Sequence, residues 1–158
     1  MAKGASSKKS DPLICTNKNA SRNYHLMDRI EAGVVLTGTE VKSIRAGNCH
    51  INDAYAYPIG QELFLSNMHV APYSHGNRSN HDPLRRRKLL LHRNELNKLI
   101  ACTIEKGLTI VPTRLYWVKG RVKAELALAK GKDKGDKRDD VKRRDAQREI
   151  DRATKRKR

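Results

Sequence analysis

From Tyr24 to Thr37 the chain alternates. Leu26, Ile30, Ala32, Val34 and Leu36 share one parity, so an apolar face runs under residues 24–37 at the strand period of two. Asp28 breaks that face, and Gly33 interrupts it where a bulge or a close backbone approach fits. Gly38-Thr39 then stops the strand. Thr39 is a fair N-cap, Val41 and Ile44 fall on one side of a short helix, and Gly47 suits the left-handed position that closes it. Lys42 and Arg45 share the opposite flank. So short a helix does not stand alone in water. It must lie against the sheet that its own strand begins.

The rest of the chain supplies more strands for that sheet. Residues 54–58 and 62–66 read as a hairpin around Ile59-Gly60-Gln61. Residues 72–84, rich in Pro, His, Asn and Ser, form a long loop. Residues 93–106 make a helix with Leu96, Leu99, Ile100 and Ile104 on one face and Gly107 at its end. Two strands follow, Thr109–Trp117 and Arg121–Leu128, joined at Lys119-Gly120. Pro112 pushes the first towards an edge or a bulge. Val122, Ala124, Leu126 and Leu128 face inward, with Lys123 and Glu125 outward. About six short antiparallel strands close most easily into a small barrel.

Charge limits the function. The 158 residues carry 34 Lys and Arg against 17 Asp and Glu, a net +17, which suits a polyanion binder. Residues 130–158 hold 14 basic and 7 acidic residues, so both the body and this tail have positive charge to offer. Residues 1–12 read as a disordered basic N-terminus, 13–130 as the barrel and 131–158 as the tail. The tail has too few apolar residues to offset its ordering entropy. Yet Asp139–Arg143, Asp140–Arg144 and Asp151–Lys155 are spaced i,i+4 with the acid first. Arg144, Arg148, Arg152 and Arg156 recur every four residues. The tail is therefore expected to be disordered when free and helical against phosphates.

Cys15, Cys49 and Cys102 show no CxxC spacing and read as small buried hydrophobes in a reducing compartment. No signal peptide or membrane span is indicated, so a cytoplasmic protein is expected. There is no Gly-rich phosphate loop, GxSxG or HExxH. Glu31 and Glu40 lack a third partner for a magnesium ion, and His75, His81 and Asp82 lack one for a metal or an acid–base pair. The expectation is a protein without cofactor, metal or catalysis. With one Phe and one Trp, the chain also lacks rows of aromatics for stacking single strands. Recognition of a folded RNA by shape and backbone fits better.

The residues then narrow the field. Asn17-Lys18-x-Ala20, the segment 31–47, Asn80-His-Asp-Pro-x-Arg-x-Arg-Lys-Leu-Leu-Leu91, Leu115-Tyr-Trp117, Lys130-Gly-Lys132 and Asp136-Lys-Arg138 occur in that order. Together they closely resemble the SsrA-binding protein family, bacterial partners of transfer-messenger RNA, over residues 13–153. The resemblance implies a mainly β fold, an antiparallel OB-like β-barrel with three flanking short helices. It also implies an adaptor that carries transfer-messenger RNA to stalled ribosomes, as a monomer and with elongation factor Tu on the same RNA.

The RNA face expected comprises Asn17, Lys18, Arg22, Glu31, Gly33, Glu40, Lys42, Arg45, Tyr55, Arg85, Arg87, Lys88, Leu91 and Lys123. Glu31 resembles the family's RNA-contacting glutamate. Arg85–Lys88 before Leu89-Leu90-Leu91 suits an elbow where a leucine packs on an unstacked base and cations hold phosphates. Each also has a plainer reading: solvated cations, a strand carboxylate, and Tyr55 and Tyr57 as packing.

For the tail, the resemblance implies entry into the empty messenger channel near the decoding centre. Lys132, Asp136, Lys137 and Arg138 would stand at its root, with Lys142, Arg144, Arg148 and Arg152 along the helix. Gly135 and Ala146 stand where some family members carry side chains that stack. A structural ribosomal or ribosome-assembly protein of the same build remains the alternative.

Overall fold

The computed structural model describes residues 12–155. The expected disordered segment 1–12 lies outside these residues except for Pro12, whose carbonyl accepts the Trp117 N–H at 2.9 Å. Among the described residues there are nine strands: β1 Leu13–Thr16, β2 Tyr24–Val34, β3 Cys49–His50, β4 Tyr55–Ile59, β5 Glu62–Ser66, β6 His69–Val70, β7 Arg87–Leu90, β8 Thr109–Val118 and β9 Arg121–Gly131. The helices are α1 Ala20–Asn23, α2 Gly38–Arg45, α3 Arg93–Lys106 and α4 Lys134–Lys155.

Seven strands form one sheet in the order β1-β8-β4-β5-β7-β2-β9, and β8 also pairs with β9. The sheet thus curls into a partial ring of six strands, with β1 added outside. The paired β3 and β6 form a separate two-stranded sheet. The ring holds the five strands placed from the sequence together with β7, whose residues read there as a basic run before leucines rather than as a strand. The extra three are short segments whose pairing is not local in sequence.

The ring is filled by Leu63, Leu65, Ile110, Leu115 and Leu126, all without exposed surface, and Met68 and Val70 are as fully buried. Each such side chain contributes about 1.5–3 kcal/mol by leaving water. Glycines turn the chain where a left-handed backbone is required. At the β8–β9 hairpin both Lys119 (φ 48°) and Gly120 (φ 75°) are left-handed, the geometry that matches strand twist.

Two strands bend at bulges. In β2 the register with β9 slips between Leu26 and Arg29, so the irregularity sits at Met27-Asp28. Gly33 instead lies in regular pairing, with no close backbone approach. It pairs with Leu90 and with Lys123, and a Cβ there would lie 3.4 Å from the Leu90 Cβ. In β8 the slip falls between Pro112 and Arg114, so the irregularity sits at Thr113, and Pro112 beside it is buried and paired with Leu126 rather than at an edge.

Helix α2 is capped by Thr37, not Thr39. The Thr37 N–H donates to the Glu40 carboxylate at 2.8 Å, the back half of a Thr-x-x-Glu cap. Ile44 is buried against the sheet and the Ser43 hydroxyl donates to the Ala71 carbonyl at 2.6 Å. Along α3, Leu96 and Leu99 are buried, but Ile104 is 75 % exposed. The last turn has run beyond the sheet by then. Helix α4 buries no residue. The ion pairs between residues of the helix itself are Asp140–Arg143 and Asp145–Arg148 at i,i+3, in place of the i,i+4 pairs expected.

Candidate nucleic-acid interface

The outer face of β2, β8 and β9 carries a lattice of charge. Glu31 lies opposite Glu125 across the β2–β9 ladder, and like charges so placed repel. Cations and a phenol separate them. The Tyr116 hydroxyl donates to Glu31, and Lys123 Nζ lies 3.4 Å from the same carboxylate. Glu125 takes Arg114 at 2.8 Å and Arg29 at 3.6 Å. The Arg114 guanidinium stands 5.3 Å from the Tyr116 ring centroid. Tyr116, then Lys123, hold the Glu31 carboxyl below its usual range against the effect of burial. Burial first, and then Glu31, push the Tyr116 phenol up. Glu31 is thus an ionised acceptor with a fixed direction and half its side chain in solvent.

Beside it the row Lys123–Gly33–Leu90 runs across three strands. With no side chain at Gly33, the row leaves open clefts on either side of Leu90. One is walled by Glu31, Leu90, Leu91, His92, Glu95 and Lys123. Of the three leucines, Leu90 is the outward one, at 53 % exposure. Leu89 is buried and Leu91 packs half-buried against the core, so the leucine that points outward is Leu90 rather than Leu91.

Glu40 and Arg87 are corrections. Neither side chain has any exposed surface, so neither touches a partner directly. Arg87 Nη2 lies 2.8 Å from Glu40 Oε1 and Arg85 Nη2 lies 2.8 Å from Glu40 Oε2. Arg87 also donates to the carbonyls of Met68 at 2.6 Å and Arg85 at 2.9 Å. Burial would raise the Glu40 carboxyl pKa, but Arg85, the Thr37 N–H and Arg87 outweigh it and hold it low. The unit is a strut that ties α2 to the loop before β7. Arg85, about one-third exposed, is its outer member.

Asn17 is structural as well. It is buried, and its Nδ2 donates to the Pro112 carbonyl at 2.9 Å. Its Oδ1 accepts the N–H groups of Asn19 and Ala20, each at 3.0 Å, while its own N–H donates to the Thr113 carbonyl at 2.8 Å. The β8 bulge supplies both carbonyls. Lys18 and Arg22 are exposed on the turn that Asn17 holds.

The remaining residues spread around the surface. On α2, Lys42 lies 5.5 Å from the Tyr73 ring centroid and Arg45 5.6 Å from that of Trp117. Tyr55 is 40 % exposed, tilted against Tyr57 at 5.7 Å. Lys88 pairs with Glu62. At the tail root, Lys132 Nζ bonds the Ser21 carbonyl at 2.8 Å and Asp140 at 2.6 Å. Asp136 reaches His25 at 3.2 Å. Arg22, Lys137, Arg138 and Lys142 line one groove floored by Val141, which joins a residue of the body to the tail. Arg144, Arg148 and Arg152 are exposed.

Among the described residues no group of three or more His, Cys, Asp or Glu is placed to hold a metal ion, and no helix is long and apolar enough to cross a membrane.

The family model described as SmpB protein matches residues 14–156, spanning both the ring and the tail. This chain belongs to the SmpB family. Within that family, the SsrA-binding protein of Geobacillus kaustophilus is 57 % identical over 141 residues, 89 % of this chain and 91 % of the relative. That of Bacillus subtilis is 53 % identical over 146 residues, covering 92 % and 94 %. A solved chain described as "tmRNA-SmpB: a journey to the center of the bacterial ribosome" is 43 % identical, with a TM-score of 0.65, covering 78 % of this chain and 86 % of that one.

For this SmpB family member, sequence reasoning missed Leu90 and Tyr116 as parts of the surface around Glu31. Leu90 had a signal, since in a strand the neighbour of a buried Leu89 points out. Tyr116 had none, because Glu31 is 85 residues away.

Proposed function

We propose that this protein binds the transfer-RNA-like domain of transfer-messenger RNA and delivers it to stalled ribosomes for trans-translation. One observation carries the reading. The family match runs unbroken from the sheet into the basic helix, residues 14–156, so both halves such an adaptor needs are present.

The face around Glu31 supports RNA capture. A carboxylate held ionised accepts hydrogen bonds from base N–H groups or a ribose 2′-OH, and Lys123, Arg114, Lys18 and Arg22 stand ready for phosphates. Leu90 offers an apolar contact to an unstacked base. The protein acts in the cytoplasm as a monomer, on an RNA that also carries elongation factor Tu.

The tail serves the ribosome. An isolated helix with no buried residue is marginal in water, and a phosphate surface would hold it. Asp136, Lys137 and Arg138 lie at its root, with Lys142, Arg144, Arg148 and Arg152 tracking ribosomal RNA in a channel without messenger.

The test separates the halves. A chain ending at Lys132 should bind transfer-messenger RNA within about tenfold of the full chain, with affinity falling by orders of magnitude from low to moderate salt. It should add no peptide tag to stalled nascent chains. A flat salt titration overturns the capture reading. Normal tagging by a tail scrambled over residues 136–156 at constant charge overturns the channel reading.

A further inference from the structure

Cys15 in β1 and Cys49 in β3 are free, half-buried thiols whose Sγ atoms lie 3.9 Å apart. Neither serves the RNA face, and Cys102 sits elsewhere, on α3. The strands that carry them continue side by side. The Lys18 N–H donates to Asn52 Oδ1 at 3.2 Å, and Asn19 Nδ2 reaches Asp53 at 3.5 Å. β1 is an edge strand of four residues whose register with β8 shifts between Leu13 and Cys15. A short edge segment at a bulge is the part of a sheet that adjusts with least resistance. A disulfide needs the sulfurs to approach to about 2.0 Å, and the bulge gives Cys15 room to do so.

We propose that Cys15 and Cys49 form a dithiol site that a mild disulfide oxidant closes into an intramolecular disulfide, tying β1 to β3 beneath the Asn17-Lys18 turn. The two thiols are not equivalent. Once Cys49 is ionised, the Cys15 thiol can donate to it, and the Arg87 charge favours that thiolate against burial. Cys15 is pushed far up by its bond to Cys49, by burial and by the Cys49 charge. Cys49 is therefore the attacking sulfur.

The reaction balances as an exchange. The Cys49 thiolate attacks one sulfur of an intermolecular disulfide such as glutathione disulfide and expels one glutathione thiolate. Capping removes the Cys49 charge and the acceptor that held the Cys15 proton, leaving only burial against its ionisation. Cys15 then loses its proton to solvent and its thiolate attacks the Cys49 Sγ, expelling the second glutathione. Two protein thiols lose two electrons and two protons, and one glutathione disulfide becomes two glutathiones.

The experiment uses the full chain and oxidised glutathione, followed by thiol counting in denaturant and peptide mapping without reductant. Three titratable thiols should fall to one, with a peptide joining Cys15 to Cys49, and dithiothreitol should restore three. The Cys102→Ser variant should lose both of its remaining thiols and stay monomeric. Cys15→Ser should stop at a stable glutathione adduct on Cys49. Closure should raise the melting temperature by roughly 5 °C or more. Retention of three thiols, cross-links only between molecules, or a glutathione adduct that persists on the unsubstituted protein would overturn the proposal.

Discussion

Replacing Glu40 by alanine tests whether the strut or the RNA is the purpose of that carboxylate. The substitution leaves the Arg87 guanidinium without exposed surface and without a counter-charge. Removing one partner of a buried ion pair costs about 3–5 kcal/mol. The Thr37 N–H loses its acceptor too, a further loss of about 1 kcal/mol. Domains of this kind are stable by only about 5–15 kcal/mol. At roughly 2–4 °C per kcal/mol for chains of this size, the melting temperature should fall by about 10–20 °C. Thermal melts followed by circular dichroism at neutral pH read it directly. Glu40→Gln keeps the volume and an acceptor for Thr37, and should fall by less. Replacing Glu40 and Arg87 together by methionine should recover part of the loss, since the stranded charge goes with its partner. An unchanged melting temperature combined with lost RNA binding would refute the argument and make Glu40 a direct contact.

Acid should weaken the fold through the same groups. The folded pKa of Glu31 and of Glu40 both lie below the ordinary 4.5, so the unfolded chain binds more protons as pH drops. Their contribution is complete above about 4.5 and is lost as pH falls through the depressed values; urea midpoints from pH 6 to 3 should decline, less steeply in Glu40→Gln. Tyr116→Phe should raise the Glu31 pKa towards 4.5, read by carboxyl-carbon NMR titration, and an unmoved titration would remove Tyr116 from the site. Asn17→Ala should cost about 1–2 kcal/mol and speed hydrogen exchange at Asn19 and Ala20. Unchanged exchange would contradict its role in holding that turn.

What the sequence showed and what it hid divide by distance along the chain. The 55–66 hairpin, α3 and the β8–β9 hairpin were legible because their periods and turn residues are local. Lys119-Gly120 and Gly107 mark their own turns. The Thr37 cap was also legible, as Thr-x-x-Glu, but Thr39 competes with it one residue after a glycine. Asp28 announced the β2 bulge by breaking the alternation, although Gly33 looked the better candidate. The strut was not legible. Arginine and glutamate are almost never fully buried unless paired, and the pairing of Glu40 with Arg87 spans 47 residues. Asn17 hid for the same reason, its bond to Pro112 spanning 95 residues. Only a folded sheet brings such partners together, so a charged or amide residue reads as surface until its partner is placed.

Helix α4 has a mechanical consequence. Its 22 residues make a rod about 33 Å long, fastened near one end where Lys132 bonds Ser21 and Asp140. The fastening also takes in the Asp136–His25 contact and the groove that Arg22 shares with Lys137, Arg138, Val141 and Lys142, and no residue of the helix is buried. Any change at the fastening is therefore multiplied along the rod: the 15 residues beyond Asp140 span about 22 Å, so a 10° tilt there sweeps the far end by about 4 Å. Lys132, Asp136 and Asp140 thus stand at the fulcrum of a lever, and the position of the tip is set by contacts far from it.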